Sequence, residues 1–179
     1  HLVLLARDKK GYENLMALST KAHLEGFYYK PRIDMELLKE YREGLIILTA
    51  CLNGILAKPL LAHKEDEAFA KLQQLQEMVG VENVFVEIQN HPELMEQGIL
   101  NERLIALARR GKAPIVATND CHYIAPQDKE AHDILLCVQT GVTVDKEDRF
   151  RMNGVFAMKS PEEMERAFSY IPEAISNTL

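Results

Sequence analysis

The sequence contains no apolar run close to the roughly eighteen residues that a membrane-spanning helix needs, and it opens with no signal peptide. We therefore expect a protein that is neither secreted nor inserted in a membrane. There are only three cysteines, and no two of them form a C-x-x-C pair. This pattern favours a reduced, cytoplasmic setting over a disulfide framework.

Positive charge is also scarce in this chain. Lys and Arg number 21 against 27 Asp and Glu, which gives a formal net charge of −6. That balance excludes the broad basic surface of a self-sufficient nucleic-acid binder. We expect any contact with DNA to be local.

The chain does have enough apolar sequence to build a core. Its 179 residues are 47% hydrophobic, which suffices for one compact domain. It shows no internal repeat and no low-complexity segment. Because residue 1 is His1 and not an initiator methionine, we expect a fragment that begins within a longer protein.

Strand-like and helix-like segments alternate along the chain. Short apolar and β-branched runs predict strands at 2–6, 45–49, 84–88 and 115–118. Helical spacing of apolar residues predicts helices at about 9–23, after Asp34, twice within 55–79, from Pro92 to about 110, and at about 126–140. This alternation predicts an α/β fold with a mainly parallel sheet, either open or closed into a barrel.

The C-terminal part follows a different pattern. Residues 142–151 form a charged connection, and 155–158 predict a short strand. Ser160 and Glu163 have the spacing of a capping box, which predicts a helix through Phe168. A further helix is predicted from Pro172 onwards.

The stretch Pro114 to Tyr123, PIVATNDCHY, is the strongest functional signal in the sequence. A buried strand runs directly into Asn119, Asp120, Cys121 and His122. In extended geometry Asp120 and His122 project to one side, where a carboxylate and an imidazole form half of a site for Zn, Mn or Fe. The alternative is a turn in which Asp120 accepts backbone N–H groups and His122 packs on Tyr123.

Other chemically capable residues also lie near the carboxyl ends of predicted strands. Cys51 follows the second strand, and Glu87 and His91 lie within and just after the third. In a parallel barrel these ends share one rim, which is where active sites lie, so the cluster predicts a metal site. The alternatives are an inert buried thiol at Cys51 and a hydrogen-bonded structural carboxylate at Glu87.

Two further groups of residues invite a functional interpretation. The loop Gly26 to Arg32, GFYYKPR, combines aromatic and basic side chains that can meet a phosphate or nucleotide, although such a loop more often folds onto its own helix. The histidines outside the cluster are expected to be surface or packing residues. They are His23, His63 and His132.

Several phrases of the sequence also resemble one known family. HLVLLA, GFYYKPRID, ILTACLNG, FVEIQNH, IVATNDCHY, AMKSPEEMERAF and PEAISNT are similar, in this order, to the polymerase and histidinol phosphatase (PHP) domain of bacterial replicative DNA polymerase III alpha subunits. The resemblance spans essentially the whole chain. It implies a distorted β/α barrel that is incomplete here, because the family's first strands lie upstream. Residues 1–141 would form the barrel portion, and 142–179 the helical connection toward the polymerase palm.

The resemblance also implies a set of site residues. Four residues match family metal ligands: His1, Cys51, Asp120 and His122. Glu87, His91 and Asn119 match positions near the site. The implied ions are zinc or manganese, and the implied chemistry is a 3′ to 5′ exonuclease. Further family ligands, including an H-x-H strand, would lie upstream of His1, so the chain is expected to supply only part of the site.

The parent implied by the resemblance is a DNA-directed DNA polymerase, a nucleotidyltransferase that uses magnesium, DNA and deoxynucleotides. Its polymerase aspartates lie downstream, so this chain alone is expected not to polymerise DNA. The implied partners are the sliding clamp, other replisome subunits and a proofreading exonuclease. One alternative is a metal-free scaffold that braces the polymerase and docks the proofreading subunit. The other is a free-standing PHP phosphatase, which the KSPEEM and NT phrases argue against.

Overall fold

The computed structural model describes residues 1–179. Four strands form one sheet, and they are β1 (Val3–Ala6), β2 (Leu45–Leu48), β3 (Val84–Gln89) and β4 (Ile115–Thr118). Eight α-helices surround the sheet or follow it: α1 (Lys9–Leu24), α2 (Met35–Glu40), α3 (Ala57–Leu61), α4 (Glu65–Val79), α5 (Met95–Gly111), α6 (Lys129–Thr140), α7 (Pro161–Ala167) and α8 (Glu173–Ser176). The predicted alternation of strands and helices is confirmed. None of the helices is both long enough and apolar enough to cross a bilayer.

The sheet has the strand order β1-β2-β3-β4. The three strands β2, β3 and β4 pair in parallel, as predicted, whereas β1 pairs antiparallel with β2. The sequence pattern could not fix this direction, because the long β1–β2 connection through two helices permits either orientation. The fold is therefore mixed α/β, and the sheet is open.

One face of the sheet packs against the helices. Ile47, Val84, Val86 and Ile88 are fully buried on this face and belong to a core cluster of 23 residues. Burying apolar side chains of this size is the main favourable term in folding. Residues of the C-terminal helical segment, including Phe168, belong to the same cluster. The predicted division at residues 141 and 142 stays a prediction.

The other face of the sheet is only partly covered. The strand register places Val3 beside Leu48 and Leu48 beside Phe85, on the face that also carries Glu87. On β1 this face is open, since Val3 is 38% exposed and Leu5 is 46% exposed. An apolar edge strand with an exposed face is a surface that proteins usually cover.

The predicted helix starts follow local capping chemistry. Asp8 and Asp34 accept hydrogen bonds from backbone N–H groups in the first turns of α1 and α2. Ser160 and Glu163 form the predicted reciprocal capping box at the start of α7. Each of these capping contacts joins residues only three positions apart, which is why the sequence predicts the helix starts.

Two predicted elements are wrong in detail. Pro92 does not open α5, because the N–H of Leu94 donates to the carbonyl of His91 and closes a turn in which Pro92 takes the second position. The helix begins only at Met95. No strand forms at 155–158 either. The structure has a single bridge between Tyr123 and Ala157 there, because the facing segment is a turn that offers no extended partner.

Candidate metal centre

The strand β4 delivers Asp120 and His122 to its carboxyl end as an interacting pair. Oδ1 of Asp120 and Nε2 of His122 are 3.1 Å apart. The two side chains are 32% and 35% exposed, so both remain accessible from solvent. Asp120 and His122 lie together, as predicted, but they do so in a turn and not in extended geometry, since β4 ends at Thr118 and the N–H of Cys121 donates to the carbonyl of Asn119 at 2.8 Å. The pair offers an oxygen and a nitrogen donor.

The loop that carries this pair is held in place by residues 155–158. The N–H of His122 donates to the carbonyl of Phe156 at 2.8 Å, and the N–H of Phe156 donates to the Tyr123 hydroxyl at 2.8 Å. The side-chain amide of Asn119 donates to the carbonyl of Ala157 at 3.2 Å. Residues 155–158 therefore hold the loop after β4 in place through hydrogen bonds, a role that the sequence pattern did not indicate.

Aromatic and imidazole rings surround His122. Its ring centroid lies 5.4 Å from that of Phe156 and 5.4 Å from that of His132, in edge-on geometry in both cases. His132 also lies 5.4 Å from the Tyr123 ring. The prediction of His132 as a packing histidine agrees with this geometry, but its packing partner is a candidate ligand.

A groove of about 550 Å³ runs along the same end of the sheet. Five of the seven residues singled out from the sequence line it, and these are His1, Cys51, Glu87, Asn119 and Asp120. The other two, His91 and His122, do not line the groove. His122 is linked to it through its contact with Asp120.

A tight turn after β2 positions Cys51 in this groove. Ala50 adopts a left-handed backbone with φ of +63°. The N–H of Gly54 donates to the carbonyl of Cys51 at 2.7 Å, and a Cβ atom on Gly54 would lie only 2.2 Å from the carbonyl oxygen of Thr49. Only glycine fits there. The Cys51 thiol is free and half-buried.

Glu87 is a buried carboxylate that neutral donors satisfy. It is 4% exposed, and its Oε2 accepts from the N–H of Ala50 at 2.8 Å. Its Oε1 accepts from the Thr118 hydroxyl and from the side-chain amide of Gln89. Because hydrogen bonds to a charged group offset much of the cost of burying it, Glu87 needs no counter-ion here. It ties β3 to the Cys51 turn and to β4.

His91 is a buried histidine of a different kind. It is 5% exposed, and neither ring nitrogen has a hydrogen-bond partner. Its ring packs on Phe156 with centroids 4.6 Å apart. Burial lowers the pKa of His91 below its ordinary value, while the negative charge of Asp120 acts in the opposite direction. Burial thus disfavours the protonated form of this imidazole, and the neutral form is the one that binds metals.

The aromatic and basic loop at 26–32 lies outside this groove. Its rings do not fold onto the preceding helix, because Tyr28 is 67% exposed and Tyr29 is 81% exposed. The guanidinium of Arg32 lies 5.7 Å from the centroid of the Tyr28 ring. The loop is thus a separate surface feature.

The donor types at the groove suit a divalent ion, but the geometry is that of a half-site. Asp, His and Cys side chains are the ligand set that zinc prefers. No three His, Cys, Asp or Glu side chains lie close enough to hold one ion between them. What the chain presents is one close pair, Asp120 with His122, and two further donors, His1 and Cys51, on the same groove.

The sequence profile of the PHP domain family matches residues 1–91, just over half of the chain. The chain belongs to the PHP domain family. Within this PHP chain, the matched residues end at His91. Asp120 and His122 therefore lie beyond the match, in the loop that follows β4.

Similarity to individual proteins extends over the whole PHP chain. It is 39% identical to the DNA polymerase III subunit alpha of Borreliella burgdorferi and 43% identical to that of Treponema pallidum, over 100% of the chain in each case. It is 43% identical to the subunit of Thermus aquaticus over 97% of the chain. The chain spans only 16%, 15% and 14% of the length of these three relatives.

Proposed function

We propose that this chain is the PHP portion of a bacterial DNA polymerase III alpha subunit. The observation that carries this proposal is the similarity of 39% to 43% across 97% to 100% of the chain to three proteins of that name. In this proposal the parent is a cytoplasmic DNA-directed DNA polymerase. It acts on DNA and deoxynucleotides with magnesium, together with the sliding clamp and other replisome subunits.

The open sheet fits a distorted barrel that strands outside this chain complete. Val3 and Leu5 expose an apolar face on β1, which is also the edge strand. Further strands packed beside β1 would bury that face and remove the free edge. The same strands would bring additional donors to the groove of His1, Cys51 and Asp120.

We further propose that the groove holds zinc or manganese and hydrolyses phosphodiesters from the 3′ end of a DNA strand. Bound ions would acidify a water molecule and offset the charge on the scissile phosphate. In this assignment Asp120 supplies a carboxylate, His122 and His1 supply neutral imidazoles, and Cys51 supplies a thiolate. Their chemistry matches the ligand preferences of zinc.

The remaining residues of the site keep these donors in place. Glu87 fixes the turn that carries Cys51, through its hydrogen bond to Ala50. Phe156 holds the loop of Asp120 and His122 through its backbone and its ring. Such supporting contacts commonly decide the affinity of a metal site.

A nuclease assay on the intact subunit tests this proposal. A 5′-labelled single strand, incubated without deoxynucleotides, is expected to shorten stepwise from its 3′ end. Asp120→Asn should abolish the shortening, because the amide removes the charge that the ion requires. Asp145→Asn, on the exposed connection after α6, serves as the matched control and should retain activity. Equal shortening by both variants would assign the activity to another site.

A metal-free scaffold is the second candidate, because no three donors of this chain meet at one point. As a scaffold the PHP portion would brace the polymerase and dock a separate proofreading exonuclease. Co-purification of that exonuclease with a metal-free, fully folded subunit would favour it. A free-standing phosphatase is not proposed, since the relatives of this chain are about six to seven times its length.

A further inference from the structure

The loop from Gly26 to Arg32 presents three consecutive aromatic rings to solvent. Phe27 is 61% exposed, Tyr28 is 67% exposed and Tyr29 is 81% exposed. The rings of Tyr28 and Tyr29 meet edge-on, with centroids 4.7 Å apart. Adjacent large rings left in solvent form a patch of the kind that proteins use for binding.

The loop has a defined conformation of its own. The N–H of Tyr28 donates to the carbonyl of Lys30 at 3.1 Å, which places Tyr29 at the tip of a tight turn. Tyr29 has φ of +59°, a left-handed backbone that is unfavourable for a residue other than glycine. At the base of the loop, a Cβ atom on Gly26 would lie 2.0 Å from the carbonyl oxygen of Arg32, so the two ends touch. Backbone strain of this kind is concentrated at ligand-binding features.

The loop carries positive charge that the neighbouring acids do not neutralise. Lys30 and Arg32 are both exposed and are its only charged residues. Glu25, which precedes the loop, pairs with Lys21 at 3.3 Å, and Asp34, which follows it, caps α2. The depression between the loop and α2 is lined by four basic and four acidic side chains, so no broad basic surface adjoins the loop. An anion bound here needs the rings as well as the charges.

Exposed rings beside cations are the combination that binds single-stranded nucleic acid. Every base can stack on an aromatic face, and the cations meet the phosphates. The guanidinium of Arg32 lies 5.7 Å from the centroid of the Tyr28 ring, so a cation and a stacking face lie side by side. A duplex keeps its base faces covered, so these rings favour a single strand.

We propose that the loop Gly26 to Arg32 is a docking site for single-stranded DNA, separate from the candidate metal centre. Bases stack on Tyr28 and Tyr29, and phosphates pair with Lys30 and Arg32. The choice of DNA rests on the proposed function, because the relatives are named DNA polymerase III subunit alpha. The stacking and the charge are independent of any bound metal. This loop is then the local DNA contact that an acidic chain of net charge −6 permits.

Photocrosslinking of the intact subunit locates the contact directly. The probe is an oligothymidylate of about twelve nucleotides, within the site sizes of single-strand binders, that carries 5-iodouracil. An excess of blunt DNA duplex occupies the site at which the parent holds its template. Mass spectrometry after irradiation should find the crosslink at Tyr28 or Tyr29. Crosslinks found only outside residues 26–32, or none at all, would overturn the proposal.

A pair of matched variants tests the stacking contacts. By fluorescence anisotropy with the same probe and duplex, Tyr28→Ser/Tyr29→Ser should bind about tenfold or more weakly, because two stacking faces are lost. The control is Tyr12→Ser/Phe150→Ser, at rings that are 59% and 62% exposed outside the loop. It should bind as the wild type does. Equal affinity of the two double variants would overturn the proposal.

The salt dependence of the same titration tests the phosphate contacts. Lys30→Gln/Arg32→Gln should reduce the slope of log affinity against log salt by about 1.4, since each phosphate contact of a single strand contributes about 0.7. Lys146→Gln/Arg166→Gln, at two exposed cations outside the loop, should keep the slope. A loop that binds a protein partner instead would leave slope and affinity unchanged, which would overturn the proposal. A subunit without DNA synthesis would reject the proposed function, while these binding measurements would still decide the role of the loop.

Discussion

The carboxylate of Glu87 accepts a hydrogen bond from the backbone N–H of Ala50, with 2.8 Å between Oε2 and the nitrogen. Both groups are buried. Ala50 has a positive φ of +63° and directly precedes Cys51. A single interior contact between β3 and the end of β2 therefore sets the position of a candidate metal ligand.

Replacing Glu87 with alanine should reduce the free energy of unfolding by about 2–3 kcal/mol, because the N–H of Ala50 and the hydroxyl of Thr118 lose their acceptor in the interior. Chemical denaturation measures this loss. Glu77→Ala, at an exposed position of α4, is the control and should change stability by less than about 0.5 kcal/mol. Equal effects of the two variants would contradict the role assigned to Glu87.

The left-handed backbone of Ala50 predicts a substitution that stabilises the protein. Ala50→Gly should raise the free energy of unfolding by about 0.5–1 kcal/mol, because glycine adopts φ of +63° without steric cost. The same substitution at Ala106, exposed within α5, should lower it by about 1 kcal/mol. If denaturation finds both variants destabilised alike, the Ala50 turn is not strained.

Phe156 links His91 and His122 through ring contacts of 4.6 Å and 5.4 Å. Phe156→Ala should cost about 3–4 kcal/mol of stability, as large-to-small changes at buried aromatic residues do. The ring-proton resonances of both histidines should also shift in NMR spectra. Phe150→Ala removes a ring that is 62% exposed and should leave both readouts nearly unchanged. Unshifted histidine signals in Phe156→Ala would contradict the packing of Phe156 against the rings of His91 and His122.

The two ring nitrogens of His91 have no hydrogen-bond partner, so this buried imidazole should lower the stability of the metal-free protein. At pH 7, His91→Leu is expected to raise the free energy of unfolding by about 1 kcal/mol, because it removes buried nitrogens that lack hydrogen bonds. Thermal or chemical denaturation measures the gain. His23→Leu, at an exposed position of α1, is the control and should give no such gain.

His91 also predicts a dependence of stability on pH. Its pKa is lowered in the folded chain, so below about pH 6.5 the unfolded chain binds the proton more readily. Its contribution to stability is complete above that pH and declines as the pH falls toward the folded pKa. His91→Leu should flatten the decline, whereas His23→Leu should not. An unchanged slope in His91→Leu would contradict the burial of a neutral imidazole.

The sequence predicted the parts of this molecule that depend on local patterns. Strand positions followed from short apolar runs, and helix starts followed from Asp34 and Ser160, whose capping partners lie three residues away. The closeness of Asp120 and His122 was also predicted, but from strand alternation, whereas the structure brings them together in the turn after β4.

Features that depend on long-range contacts were not predictable. The antiparallel pairing of β1, the contacts of Glu87 with Ala50 and Thr118, and the packing of Phe156 between two histidines all join segments more than thirty residues apart. The helix start predicted at Pro92 was wrong because proline is common at the first positions of both helices and turns. Here the hydrogen bond from the N–H of Leu94 to the carbonyl of His91 closes a turn. Whether His1 and Cys51 share an ion with Asp120 depends on contacts of this long-range kind.

The most direct test of the proposed metal centre is the metal content of the intact subunit, purified without chelator and measured by mass spectrometry. The account predicts at least one bound zinc or manganese per wild-type subunit. Asp120→Asn and Cys51→Ser should lose most of that metal, whereas Asp145→Asn should retain it. A folded wild-type subunit without bound metal, or equal metal in all three variants, would contradict the assignment of this groove as a metal centre.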